Sequence, residues 1–136
     1  MFKIKTFSGK KTVRQALLLL PALLLIGAGP IQWVDSPEGI AREALANLEK
    51  GRYDLVLARF EANMRRNLSD VQISNLWNNM IRQYGAFGGV EKVWTEKTPS
   101  GTIVVQTCVF GNTRHELRML LERPAELASL FFVAVP

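Results

Sequence analysis

Histidine and cysteine each occur only once in this chain of 136 residues, as His115 and Cys108. A lone cysteine closes no internal disulfide. Thiolate chemistry would need a base beside the sulfur, and His115 is the sole imidazole available. The two residues flank "GNTR", Gly111 to Arg114, so an antiparallel turn there would make them cross-strand neighbours. The alternation of "TIVVQTCVF" favours a buried, inert thiol over a nucleophile. No cluster of His, Cys or carboxylates has the spacing of a metal site, and neither a metal nor another cofactor is expected.

Acid is missing from one end. The formal charge is +5, but Lys3, Lys5, Lys10, Lys11 and Arg14 all fall in the first fifteen residues, where no Asp or Glu stands against them. Removing those five leaves 12 bases against 12 acids, so the body is formally neutral. A face of phosphate-neutralising bases has no support in that balance, and nucleic acid is excluded as a partner class.

The basic end reads as a leader. It runs into "ALLLLPALLLIGAG", Ala16 to Gly29, which carries no charge, and then into "PIQWVDSP". Basic, then apolar, then small is the order of a secretory signal peptide. Ala16 to Val34 is also just long enough to cross a bilayer, with Trp33 at the far interface. Cleavage and anchoring both stay open, and either exports the body to the periplasm or beyond, in the second case held at the inner membrane by residues 16–34. Neither a twin-arginine pair nor a cysteine after the apolar run is present, which excludes Tat and lipoprotein signals. The expected organisation is a signal peptide or anchor over 1–29, a linker over 30–35 and a domain over 36–136, with membrane contact only through the N-terminal segment.

Within the body, Ser36-Pro37-Glu38 predicts a helix start: a capping hydroxyl, a proline whose missing N–H is harmless in the first turn, and an acid near the positive helix end. Ile40, Ala44, Leu45 and Leu48 share one face of that helix. Gly51 then interrupts "NLEKGRYDLVLARF", where a helix interior would lose about 1 kcal/mol relative to Ala. It is expected to be a corner in the left-handed conformation. A second helix is expected from Tyr53, with Val56, Leu57, Phe60 and Met64 as its apolar side. "SDVQ", Ser69 to Gln72, has the reciprocal pattern of a capping box. Behind it Ile73, Leu76, Trp77, Met80, Ile81 and Tyr84 recur at three- and four-residue intervals until Gly85. From Gly89 onward the period becomes two, punctuated by "TPSG", "GNTR" and "RPAE". The segments "VEKVWTEK", "TIVVQTCVF", "HELRMLLE" and "LASLFFVAV" are four strand candidates whose short links predict an antiparallel meander. Leu117, Met119 and Leu121 alternate with Glu116, Arg118 and Glu122, so one sheet face needs a cover. The fold class is α+β, with three helices laid on one face of a curved four-stranded antiparallel sheet.

The run "LEKGRYDLVLARFEANMRRNLSDVQISNLWNNMIRQYGAFGGV", followed by a meander ending in "LASLFFVAV", resembles an uncharacterised family of small exported bacterial domains. Its marks are "GRYD", "LSDVQISNLW" and "QYGAF", and the likeness covers residues 36 to 136. That family is similar in turn to the nuclear transport factor 2-like, or cystatin-like, superfamily, and its members stand alone or ahead of α/β-hydrolase domains. The resemblance implies helices across a curved sheet with a cavity between, and it implies no reaction.

Cavity isomerases and dehydratases of that superfamily use an Asp, His or Tyr whose pKa an apolar cavity shifts. Here Asp35, Asp54 and Asp70 fall at helix starts, and Glu91, Glu96, Glu116 and Glu122 alternate with apolar residues towards water. Tyr53, Tyr84 and His115 remain as polar groups for a cavity. The expected function is an exported, non-catalytic domain that binds a small apolar ligand or a protein partner. The alternatives are a small cavity enzyme of the isomerase or dehydratase type and an accessory module to a separate exported hydrolase. Phe60, Trp77, Tyr84, Met119 and Phe132 are the candidate pocket lining, and with Phe131 they are equally the best core residues. Self-association through the open sheet face, as dimeric relatives of the superfamily do, is the other partner expected.

Overall fold

Ser36 sets where the first helix begins. Its extended backbone lets Oγ accept from the Gly39 N–H at 3.0 Å, and α1 runs from Pro37 to Glu49. These elements belong to a computed structural model that describes residues 36–123 and 125–136. The expected leader over 1–29 and linker over 30–35 lie outside the described residues. Among the described residues, no helix is long and apolar enough to cross a membrane.

The stripe Ile40, Ala41, Ala44, Leu45 and Leu48 is buried along α1. Gly51 closes the helix with φ +75°. The Gly51 N–H donates to Leu48 O at 3.2 Å and the Arg52 N–H to Asn47 O at 2.8 Å, the paired bonds of a Schellman turn. The corner expected at Gly51 is therefore present, and α2, Tyr53–Ala58, leaves from it.

The single second helix expected from Tyr53 through Met64 is two helices, which makes four rather than three among the described residues. α2 stops at Ala58 and α3 runs from Ala62 to Asn67. The break has a long-range cause. Leu127 N–H donates to Arg59 O at 2.7 Å and Glu61 N–H donates to Leu127 O at 3.0 Å, so the backbone between the helices pairs with the edge of the sheet. That pairing satisfies groups an unbroken helix would have bonded internally, and it draws Phe60 to 3% exposure while Met64 stays 36% exposed.

α4, Asp70–Tyr84, opens with the expected capping box. Gln72 N–H donates to Ser69 Oγ at 3.2 Å and Ser69 N–H donates to Gln72 Oε1 at 2.8 Å. Ile73, Trp77 and Met80 are its buried residues.

Four antiparallel strands follow in the order β1-β2-β3-β4: β1 Phe87–Lys97, β2 Thr102–Phe110, β3 Thr113–Arg123 and β4 Glu126–Ala134. β1 starts earlier than the expected Val90 because Phe87 pairs with Phe110, and register shifts before Gly89 and before Lys92 mark bulges that bend the strand. Alternation sends Val104, Gln106, Cys108 and Phe110 of β2 and His115, Leu117, Met119 and Leu121 of β3 towards the helices, all of them buried. Gln106 Nε2 donates to Ala41 O at 3.2 Å, so a buried amide pins α1 to β2. Trp77 closes the layer from α4, with ring centroids 5.3 Å from Phe87 and 5.4 Å from Phe110.

Candidate functional site

The five candidate lining residues do not form one site. Trp77 and Phe132 meet between α4 and the sheet, where the half-buried Phe132 ring lies 6.3 Å from the buried Trp77 and 5.6 Å from Phe110, while Met119 is buried on the helix-facing side of β3 between Val104 and Leu130. Phe60 is buried where the α2–α3 break meets β4. Tyr84 sits at the end of α4, its ring 4.2 Å from that of His115. All five belong to the apolar cluster between the layers or pack against it.

Cys108 and His115 are cross-strand partners, as the turn between them implied. The geometry does not activate the thiol. Cys108 has no exposure, its Sγ donates to Gln106 O at 3.5 Å, and burial pushes its pKa up to about 12. His115 is 4% exposed, its Nε2 pairs with Thr113 Oγ1 at 3.1 Å, and burial holds its pKa below the ordinary value. A thiol and a neutral imidazole, each bonded elsewhere, do not make a nucleophile and its base. Among the described residues no group of three or more His, Cys, Asp or Glu is placed to hold a metal ion.

Two of the surface hollows among the described residues are shallow. One, of about 310 Å³, is lined by Glu43, Asn47, Leu55, Ala58 and Arg59, and the Arg59 Nε to Glu43 Oε2 bond of 2.7 Å runs through it. The other, of about 330 Å³, lies where Pro37 meets Gly101, Thr102, Leu121, Glu122 and Arg123.

The sheet face turned from the helices is different in kind. Register sets Trp94, Val105, Arg118 and Phe131 in one row across all four strands. Val105 has no exposure although it points away from the helices, whereas Phe131 is 45% and Val133 40% exposed. Around that row the charges pair off. Arg118 bonds Glu116 at 2.8 Å and also Glu96, and Arg114 grips Glu91 through two bonds of 2.7 and 2.9 Å. Lys92 Nζ stands 4.8 Å from the Trp94 ring centroid. Arg114 holds the Glu91 carboxyl below the usual carboxylate range, chiefly by hydrogen bonding. Glu91 and Glu122 face water as expected, whereas Glu96 and Glu116 are half-buried against Arg118.

The family described as Protein of unknown function (DUF3887) matches residues 41–130. The chain belongs to that family. The match spans the domain from the first turns of α1 to β4, so it takes in the helical layer and the sheet together. Neither a curated protein nor a solved structure matches this DUF3887 chain.

Sequence reasoning placed this DUF3887 domain's candidate residues on the helix side and, although it expected self-association through the open sheet face, named no residues for it. The missed residues are Trp94, Arg118 and Val133, with Phe131 taken only as core. One signal was available: adjacent strand residues point to opposite faces, so Phe131 and Phe132 could not both be core.

Proposed function

We propose that this domain is the non-catalytic, partner-binding part of an exported protein, with a nuclear transport factor 2-like arrangement of helices over sheet, and that it binds through the open sheet face. The observation that carries the reading is the row from Trp94 to Phe131. It ends in an aromatic at each edge, encloses a fully buried Val105, and adjoins the exposed Val133. An exposed Phe131 and a half-buried Trp94 on a charge-balanced face fit the composition of interface cores. The helix side supports the same choice, because Trp77, Phe87, Phe110 and Phe132 fill the space between the layers with ring contacts of 5.3 to 6.3 Å. The condition of Cys108 and His115 favours binding over catalysis.

A second copy is the partner that fits best. A two-fold axis parallel to the strands, midway between β2 and β3, sets each copy's Trp94 opposite the other's Phe131, so the contact is made twice. Balanced charge on the face removes like-charge repulsion from such a contact. Light scattering of residues 36–136 over a range of concentrations tests this. A mass of twice the chain supports the reading, and a monomer at every concentration overturns self-association.

Export rests on the five leader bases before the apolar run, which the positive-inside rule keeps in the cytoplasm. A reporter enzyme active only outside the cytoplasm, fused after Pro136, should be active. Activity from a cytoplasm-only reporter in the same position would sink the export reading.

A further inference from the structure

We draw no further inference here: the strongest candidate, the surface hollow of about 310 Å³ between α1 and α2, has Glu43 and Arg59 bonded to each other at 2.7 Å, and nothing in the structure shows what would occupy it.

Discussion

Gly111 lies hard against Tyr84: a β-carbon on Gly111 would stand 2.1 Å from the Tyr84 carbonyl oxygen. The end of α4 and the β2–β3 turn therefore touch backbone to backbone, and Gly111 also has φ +58°. Gly111→Ala should be destabilising on the order of 3 kcal/mol, since left-handed strain and a steric clash act together. Gly51 separates the two effects. Its φ is +75°, but the nearest atom to an added β-carbon is Tyr53 Cε2 at 4.0 Å. Gly51→Ala should therefore lose only about 1 kcal/mol, Gly51→Asn less and Gly51→Val more. Chemical melts of residues 36–136 carrying each change measure the difference. Equal losses from the two alanines would show that the contact with Tyr84 carries no weight.

His115 makes stability depend on pH in a predictable direction. Burial disfavours its charged form, so its folded pKa lies below the unfolded value of about 6.5. The unfolded chain then takes up the proton first. Stability is fully present above the unfolded value and is lost as pH falls through it. Glu61 works in the other sense, because lost hydration and then the neighbouring Glu122 push its carboxyl up from an ordinary carboxylate value that lies below that of histidine. Between about pH 7 and 5.5 the histidine dominates. His115→Gln, which keeps a polar atom near Thr113, should lower stability overall yet flatten its dependence in that window. An unchanged slope would assign the dependence to another group.

α3 should open on its own. None of its residues, Ala62–Asn67, is buried. Six residues cannot sustain a helix without packing, so its order comes from its ends: the Glu61–Leu127 bond before it and the Ser69 capping box after it. Arg65 adds a bond of 2.6 Å to Phe60 O. Its amides should exchange through local opening, insensitive to low denaturant, while those of Ile73 to Met80 wait for larger unfolding. Trypsin should cut first after Arg65 or Arg66. Protection in α3 equal to that of α4 would mean that something covers the helix.

The break before α3 also marks where local sequence stops being informative. Ser36, Gly51 and the Ser69–Gln72 pair were legible because caps and corners act over a few residues. Alternation placed β2 at Thr102 to Phe110 with Cys108 buried, and it put Leu117, Met119 and Leu121 of β3 on the covered face. The stop at Ala58 is set instead by Leu127, which lies beyond three strands in sequence, and no glycine or proline announces it. Val105 was equally hidden. It looks like a wet-face residue by alternation, yet it has no exposure between its cross-strand partners Trp94 and Arg118. Local rules yielded the strands and most of the helix ends, but the proposed surface depends on what four strands bring side by side.

That surface makes the last prediction. Phe131 is 45% exposed and its substitution removes no buried core contact, so Phe131→Glu should leave the thermal midpoint of the isolated chain nearly unchanged. In a two-fold dimer the same change introduces two unpaired charges into a desolvated contact, each opposite the partner's Trp94, and should weaken association at least tenfold. Trp94→Ala should act in the same direction. Phe132→Glu is the contrast, since Phe132 faces Trp77 and Phe110, and it should unfold the domain rather than dissociate it. Sedimentation velocity paired with thermal melts separates the cases. If Phe131→Glu leaves the association constant where it was, the open face is not the interface, and the function proposed for it falls with that result.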